Sequence, residues 1–372
     1  MVRCYQASQG RSLGSERALI TRCTRDGLLR LMRRLAIDMS THVGSVELAN
    51  PVMTASGTSG YGAELAPYVD LSALGAVVTK SLAPFAWPGN PAPRVVSGPA
   101  SMLNSVGLQG PGLGPWLDKE LPELLRRGVR VVASIWGRNV AEFGEAAGIL
   151  NGVEGIVAIE VNMSCPNVED RSRIFAHSPA AVADVVWASL AAGMPVWAKL
   201  SPNTPDIVAV AGAALGAGAE GVVLVNTLLG MAVDVKTQTY ALGSGSAGGG
   251  VSGPALRPVA VRAVHDCRAA FPRAGIVGVG GVSKGRHAVE LMMAGADAVE
   301  VGTATLLDPS AVARVRKELR RWCAWNGVGR VRDLVSAVHR GGPDGGPGDS
   351  LGTDEALGAD GPPGRWRGVD GD

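Results

Sequence analysis

Eight short apolar runs, rich in valine and isoleucine, recur through the middle of this 372-residue chain and limit its fold more than any other feature. None of them alternates between apolar and polar residues, as a strand with one solvated face does. Continuous apolar runs of this length suit strands that are buried on both faces, as in parallel sheets covered by helices. The runs are Pro51–Ala55, Ala76–Lys80, Val129–Ile135, Ile156–Val161, Pro195–Leu200, Gly221–Asn226, Ile276–Val279 and Ala298–Val301.

Segments with helical periodicity separate these runs, so that strand and helix alternate along the chain. Several segments begin with a proline in the first turn and several end at a glycine, which are signals of helix start and stop. Eight alternating units predict an α/β protein, a closed (β/α)8 TIM barrel, and an open doubly wound sheet is the alternative. The predicted helices are Glu64–Leu74, Trp116–Arg127, Ala141–Leu150, Pro179–Ala192, Pro205–Gly216, Leu256–Phe271, Lys284–Ala294 and Pro309–Trp322.

Two connections in this pattern are longer than the others. The first, Ser81–Gly128, carries prolines at positions 84, 88, 91, 93 and 99, and the second, Thr227–Gly275, carries the glycine-rich run Gly243–Gly250. In a barrel, both connections follow the carboxyl ends of strands, where active sites lie. We therefore expect them to form loop insertions that cover the mouth of the barrel.

The two ends of the chain differ from its middle in charge and composition. Residues 1–38 contain eight arginines and three acids, and residues 340–372 contain seven acids, three arginines, eleven glycines and four prolines. The tail is predicted to be disordered, because so few apolar residues cannot offset the chain entropy lost on folding. The Arg-rich head is interpreted as a disordered extension, either a transit peptide or the product of a translation start placed ahead of Met32 or Met39. The barrel is predicted to span residues 39–339.

Composition excludes several classes of protein. A net charge of +2 gives no reason to expect nucleic acid as a partner. The charge-free run that most resembles a membrane span, Ile207–Ala219, is thirteen residues long and too short to cross a bilayer, so no membrane association is expected. The five cysteines show neither metal-binding nor disulfide spacing, so no metal site is predicted and a reduced, cytoplasmic location is expected.

Polar residues and glycines collect at the carboxyl ends of the predicted strands, which meet at one end of a barrel. Two lysines and two asparagines in equivalent positions indicate a shared binding site rather than solvated strand caps. Glycines after the seventh and eighth strands indicate a phosphate-bearing cofactor, because bare backbone N–H groups can approach an anion closely. Neither a dinucleotide-binding nor a P-loop glycine motif accompanies them. The residues are Lys80, Ser81, Asn162, Ser164, Cys165, Lys199, Asn226, Thr227, Gly280, Gly281, Gly302 and Thr303.

Cys165 follows a predicted strand and lies between Asn162 and Asn167, so we expect it in a loop over the mouth. His177 is the only histidine near it in sequence, and the further groups that a Cys-His nucleophile needs are absent from this stretch. A thiol without such a partner can still accept a proton, and with a free pKa near ~8.5 it works best at mildly alkaline pH.

Nine stretches of the sequence resemble dihydroorotate dehydrogenases and occur in the same order, from about residue 43 to 323. A cysteine within Asn162–Asn167 is similar to the soluble class 1 enzymes, since the membrane-bound class has serine there. Met102–Gln109 and Asn226–Gly230 most resemble the catalytic subunit of the NAD-linked, class 1B type. The other stretches are Asn50–Gly57, Thr79–Ser81, Gly89–Arg94, Lys199–Asn203, Gly280–Val282 and Val301–Thr303.

The resemblance implies oxidation of (S)-dihydroorotate to orotate on FMN in pyrimidine biosynthesis, with Cys165 as the base that takes the C5 proton. It also implies a partner subunit with FAD and an iron–sulfur cluster, and a homodimer or heterotetramer. Residues implied to bind substrate are Lys80, Asn104, Ser105, Val106, Gly107, Leu108, Asn162, Asn226 and Thr227. Residues implied to bind FMN are Ser56, Lys80, Ser81, Ser134, Asn162, Lys199, Val225, Gly253, Gly280, Gly281, Gly302 and Thr303.

Some positions depart from the family pattern, and other functions stay open. Ser134 stands where the family usually has asparagine, which puts one flavin contact in doubt. A dihydropyrimidine dehydrogenase-like enzyme places histidine after the proline of the cysteine motif, where this chain has Asn167. A flavin-binding barrel without turnover of its own leaves the set of polar strand-end residues unexplained. An aldolase with a Schiff base at Lys199 leaves Cys165 without a role.

Overall fold

Eight parallel strands form one sheet at the centre of the computed structural model, which describes residues 37–341 apart from Cys165 and residues 168–172. Numbered in chain order, the strands are neighbours in the sheet in the order β1-β8-β7-β6-β5-β4-β3-β2. They are β1 (Val52–Thr54), β2 (Val77–Val78), β3 (Val131–Ile135), β4 (Ile156–Asn162), β5 (Val196–Leu200), β6 (Gly221–Leu224), β7 (Gly275–Val279) and β8 (Ala298–Val301).

The two end strands of this sheet meet, and the barrel closes between them. The Gly75 amide donates to the Val52 carbonyl at 2.9 Å. The Thr54 hydroxyl donates to the Val78 carbonyl at 3.2 Å and accepts from the Val78 amide at 2.9 Å. The predicted (β/α)8 barrel is therefore confirmed, and the alternative of an open doubly wound sheet is wrong.

Helices pack around the outside of the barrel in the connections predicted to hold them. Asn139, Ser178 and Asp206 cap three of them through their side chains, each accepting from a backbone N–H of the first turn. The α-helices are α1 (Leu113–Arg126), α2 (Val140–Ile149), α3 (Pro179–Ser189), α4 (Ile207–Gly216), α5 (Arg257–Ala270), α6 (Gly285–Ala294), α7 (Thr303–Leu307) and α8 (Ala311–Trp325). Short 3-10 helices cover Leu71–Ala73, Phe175–His177, Leu190–Ala192, Gly245–Ala247, Pro254–Leu256, Val331–Leu334 and Ala337–Arg340.

The helix predicted over residues 64–74 is wrong. The chain there forms a series of turns, with the Ala66 amide bonded to the Ala63 carbonyl, and only Leu71–Ala73 is helical. Pro67 explains the difference, because it has no N–H for a helical hydrogen bond and disfavours helical geometry in the residue before it. The apolar spacing that suggested a helix instead buries Leu65 and Val69 against the barrel.

The two long insertions cover the mouth together, as expected. A four-stranded antiparallel sheet takes Val95–Ser97 and Met102–Asn104 from the first insertion, and Leu228–Gly230 and Gly249–Ser252 from the second. Three antiparallel pairs complete the strands of the described residues: Thr41–Val43 with Val46–Leu48, Pro166–Asn167 with Arg173–Ile174, and Val233–Asp234 with Thr239–Tyr240.

One apolar core fills the inside of the barrel, and a second lies between the barrel and the helices. The inner core includes Trp197 and Met53, and it contains Val43 and Leu48 from the first hairpin. Because side chains alternate along a strand, the residues two positions beyond this core also face inward. This places Ser134, Glu160, Lys199 and Glu300 directly above the apolar filling.

The predicted head and tail lie outside the described residues, except at their inner edges. The Asp38 amide donates to the Gly329 carbonyl at 2.9 Å, and the Asp38 carbonyl accepts from the Val331 amide at 2.8 Å. The predicted domain boundaries after residue 38 and before residue 340 stay predictions, because most of the head and tail lies outside the described residues. None of the helices in residues 37–341, with the gaps given above, has the length and apolar character needed to cross a membrane.

Candidate active site

A buried group of three ionisable side chains forms the floor of the site. The Lys199 ammonium lies 3.2 and 3.3 Å from the two carboxyl oxygens of Glu160, and 2.9 Å from Oε2 of Glu300. Burial alone lowers the pKa of Lys199, but the neighbouring glutamates outweigh it and hold that pKa above its ordinary value. Lys199 is therefore a permanent positive charge inside the barrel at physiological pH.

A chain of polar side chains runs from this group towards the mouth. Ser134 lies 3.3 Å from Oε1 of Glu160 and 2.9 Å from the Ser81 hydroxyl. The side-chain amide of Asn162 donates to the Ser81 hydroxyl at 3.0 Å, and the side-chain amide of Asn226 donates to Asn162 Oδ1 at 3.2 Å. These contacts connect residues on strands β3, β4 and the ends of β2 and β6. Of the strand-end residues predicted to share a site, Ser81, Asn162 and Asn226 are therefore linked by hydrogen bonds.

Ser56 joins this chain at its other side, where its hydroxyl lies 3.2 Å from that of Ser81. Ser134, which stands where the family resemblance leads one to expect asparagine, is fully buried and has both its partners in place. The shorter side chain is thus satisfied within the protein by Ser81 and Glu160.

Lys80 is the second lysine of the site and lies just after the carboxyl end of β2. Its ammonium sits 5.0 Å from the centre of the Tyr61 ring, a cation–π distance. Burial, and to a lesser degree the charge of Arg94, lower the pKa of Lys80. No contact of this ammonium with a carboxylate is seen among the described residues, so it can meet an anionic group of a ligand.

The loop that follows Asn104 is held by Asn90, which lies earlier in the same insertion. The Asn90 side chain donates to the Ser105 hydroxyl at 2.7 Å, and its backbone amide donates to the Val106 carbonyl at 3.1 Å. A Cβ on Gly107 would lie 2.6 Å from Asn90, so only glycine fits this approach. Leu108 follows with a positive φ of 59°. Asn104 itself donates to the Gly250 carbonyl at 3.2 Å, which ties the loop to the second insertion.

Three glycine-containing loops, which follow β6, β7 and β8, converge at the mouth. Gly253, Gly280 and Gly281 have positive φ values of 93°, 136° and 68°. A Cβ on Gly281 would lie 3.1 Å from the Gly253 carbonyl oxygen, which brings two of the loops together. The Thr303 hydroxyl donates to the Ser252 hydroxyl at 2.9 Å and joins the third loop, which begins at Gly302. Glycine backbone without side chains thus lies next to one hydroxyl group, as a phosphate-binding site requires.

Val225 lies directly after β6. It is buried, its amide donates to the Val279 carbonyl at 2.8 Å, and the peptide bond before it is cis. The backbone amide of Asn226 donates to the Leu200 carbonyl at 2.8 Å. The end of β6 is therefore fixed by both neighbouring strands.

Cys165, the predicted base, lies outside the described residues. The segment that leads to it is described: the Ser164 amide donates to Asn162 Oδ1 at 3.2 Å. His177, on the far side of the segment, is partly buried, and its Nε2 atom has no hydrogen-bond partner among the described residues. The role of Cys165 stays a prediction.

Three residues of the site were not predicted from the sequence. Glu160 and Glu300 lie in the otherwise apolar strands β4 and β8. An acidic residue at an inward-facing position of such a strand is the sequence signal that could have identified them. Asn203 donates to the Thr227 carbonyl at 2.9 Å and accepts from the Leu229 amide at 2.8 Å. It lies within a stretch noted for its family resemblance, but its position in a loop gave no indication of these contacts.

Comparison with known proteins agrees with this geometry. The family model described as dihydroorotate dehydrogenase matches residues 38–322. The catalytic subunit of dihydroorotate dehydrogenase B (NAD(+)) from Geobacter sp. (strain M21) is 42% identical over 302 residues, which cover 81% of this chain and 98% of that protein. The subunit of the same name from Desulforudis audaxviator is 45% identical over 307 residues, 82% of this chain and 99% of that protein. The resemblance found in the sequence motifs is thereby confirmed.

Proposed function

The chain belongs to the dihydroorotate dehydrogenase family, flavin-dependent oxidoreductases that oxidise dihydroorotate to orotate in pyrimidine biosynthesis, and we propose that its flavin is FMN and its base Cys165. The observation that carries the FMN proposal is the meeting of the loops at Gly253, Gly281 and Thr303. An FMN phosphate needs a cradle of backbone N–H groups with no side chains in the way, and the residues present fit it.

The polar floor suits the rest of the cofactor. Lys199, Asn162, Ser81, Ser134 and Ser56 present a positive charge and amide or hydroxyl groups, which match the carbonyl and ring nitrogen atoms of a flavin. Lys80, Val225, Gly280 and Gly302 complete the proposed FMN site. When bound there, FMN supplies the acceptor for the hydride that leaves C6 of dihydroorotate.

Substrate binding is assigned to Lys80, to the ends of β4 and β6, and to the loop after Asn104. Lys80 supplies a positive charge for the carboxylate of dihydroorotate. Asn162, Asn226 and Thr227 supply amide and hydroxyl groups for its ring, and the loop Asn104–Leu108, held by Asn90, closes against it. These groups orient the C5–C6 bond and exclude water from it.

Cys165 removes the proton that the oxidation releases. As a thiolate it takes the C5 proton, the C5–H electron pair becomes the second bond between C5 and C6, and the hydride leaves C6. One proton and one hydride thus leave the substrate, and orotate forms. A thiol performs this step best once part of it is ionised, near its free pKa of ~8.5.

Replacing Gly281 by alanine tests the phosphate cradle. The new Cβ would lie 2.7 Å from the Arg257 Cβ at a φ of 68°, so the loop has to shift. Strain of about 1–2 kcal/mol is expected to raise the dissociation constant of FMN by roughly tenfold, and that of riboflavin, which lacks the phosphate, much less. Fluorescence titration of the stripped protein measures both constants.

Gly128→Ala is the matched control for this variant. Gly128 has a φ of 69°, and a Cβ there meets nothing within 4 Å. Gly128 precedes β3, away from the three glycine loops, so its replacement is expected to cost stability without changing FMN affinity. Equal FMN affinity of the two variants would show that the phosphate binds elsewhere.

The natural electron acceptor is proposed to be reached through a second subunit. Relatives are named as catalytic subunits of an NAD(+)-linked enzyme, whereas the five cysteines of this sequence lack iron–sulfur spacing. We assign FAD and an iron–sulfur cluster to a partner, in a cytoplasmic assembly. This chain alone is expected to reduce a dye with dihydroorotate but not NAD. Direct NAD reduction at a comparable rate by the isolated chain would contradict the need for a partner.

A further inference from the structure

Three ionisable side chains meet inside the barrel, and their charges do not balance if all three are ionised. The side chains of Glu160 and Glu300 are fully buried, and that of Lys199 is 5% exposed. Two carboxylates and one ammonium carry a net charge of −1 in a region where an uncompensated charge is strongly unfavourable. A single proton on one of the two carboxyl groups brings the net charge to zero.

The surroundings of Glu300 offer no other compensation. It lies on β8 between β1 and β7, whose sequences VMT and GIVGV contain no titratable side chain. Among the residues that the structure describes, only Glu160 on β4 and Lys199 on β5 act on the charge of Glu300. The proton balance is therefore decided within these three residues.

Hydrogen bonds distinguish the two carboxyl groups. Glu160 faces three donor contacts, two from the Lys199 ammonium and one from the Ser134 hydroxyl. Glu300 accepts one, from Lys199 to Oε2, and its buried Oε1 has no hydrogen-bond partner among the described residues. Because donors stabilise the ionised form, the charge belongs on Glu160 and the proton on Glu300.

We propose that Glu300 is a neutral carboxylic acid at physiological pH and acts as a positioning residue, leaving Lys199 a single counter-ion, Glu160. Burial, reinforced by the charge of Glu160, raises the pKa of Glu300 well above its ordinary value, in agreement with this assignment. Glu300 fixes the Lys199 ammonium through Oε2 without cancelling its charge.

The consequence for the reaction rests on the proposed function. A neutral Glu300 keeps the floor of the barrel free of excess negative charge, so Lys199 can favour a bound flavin that gains electrons. An ionised Glu300 would make the floor net negative and oppose the same change.

The dependence of stability on pH tests the proton on Glu300 without using the flavin. In the unfolded chain a glutamate has a pKa near ~4.3, so above that pH the folded protein binds one proton more than the unfolded chain. Stability attributable to Glu300 is present at low pH and is lost as the pH rises towards the folded pKa. Relative to Glu300→Gln, the folded-to-unfolded ratio of the wild type is expected to fall by about tenfold per pH unit.

Urea unfolding of the full-length chain and of Glu300→Gln, compared from pH 5 to 8 in steps of one unit, measures this ratio. Infrared spectroscopy supplies a second measurement, since the carbonyl band of a protonated carboxylic acid at neutral pH should be absent from the variant. Stability curves that run parallel, or a wild type without this band, would overturn the proposal.

Glu160→Gln shows which of the two carboxyl groups holds the proton. In that variant Glu300 is the remaining counter-ion of Lys199 and has to ionise, so the negative charge moves across the site. We expect the FMN dissociation constant to rise about tenfold, against less than threefold in Glu300→Gln. The reverse order would place the proton on Glu160 and contradict the assignment.

Glu300→Leu separates positioning from packing, because leucine fills space but cannot accept a hydrogen bond from Lys199. FMN affinity should fall in this variant and be retained in Glu300→Gln, and equal affinities would contradict a positioning role. If the wild type binds no FMN yet shows the one-proton difference from Glu300→Gln, the proposed function fails while the proton assignment stands.

Discussion

Replacement of Cys165 by alanine is expected to lower kcat for dihydroorotate by about 10²–10⁴-fold, the usual contribution of a positioned general base. Bound FMN should be retained, because the proposed flavin contacts come from the strand ends and the glycine loops. In the wild type, the rate of flavin reduction should rise with pH towards the thiol pKa of ~8.5, and this rise should disappear in the variant. Anaerobic stopped-flow absorbance measures both effects.

Cys267→Ala and Cys323→Ala are the controls for this experiment. Both thiols are free and buried, on α5 and α8. Burial raises the pKa of Cys267 to about 12 and that of Cys323 to about 11, so neither is a reactive thiolate. Their variants are expected to keep kcat within about twofold, since neither removes the positioned base. A Cys165→Ala protein with wild-type kcat would mean that another group takes the C5 proton.

Replacement of Lys199 by methionine is expected to lower the free energy of unfolding by about 3–5 kcal/mol at neutral pH, as is usual when one partner of a buried ion pair is removed. Methionine fills a similar volume, so the loss comes from charge and not from a cavity. Glu160 and Glu300 then remain with no cation between them, and the folded protein has to hold a proton on each.

The pH dependence of this variant follows from the same protons. The folded variant would hold more protons in this buried group than the unfolded chain does, so stability is retained in acid and lost as pH rises. Urea unfolding at pH 5 and pH 7 should show a larger difference between variant and wild type at pH 7. Lys119→Met, at an exposed position of α1, is the control and should change stability by less than about 0.5 kcal/mol. An equal loss at the two pH values would contradict the buried charge group.

The strand pattern and the strand-end residues could be predicted from the sequence because each rests on local information. A run such as Ile276–Val279 is apolar at every position, and a parallel barrel buries both faces of its strands. Since all carboxyl ends of such strands meet, Ser81, Asn162 and Asn226 could be placed together without knowledge of distances. Their contacts in the structure confirm that argument.

The pairing of the two insertions could not be predicted in the same way. Gly250 pairs with Asn104 across 146 residues of sequence, and nothing local to either position specifies the other. The same holds for Lys199, whose position at a strand end indicated a ligand contact. Its two glutamate partners come from strands 39 and 101 residues away. Only the closed barrel makes them neighbours.

The absorbance of the purified protein on anaerobic addition of dihydroorotate tests the central claim most directly. We predict that the protein is yellow, releases FMN on denaturation, and loses its flavin absorbance as one orotate forms per flavin. A protein that carries no FMN, or one whose bound flavin keeps its oxidised spectrum in the presence of dihydroorotate, would contradict the account.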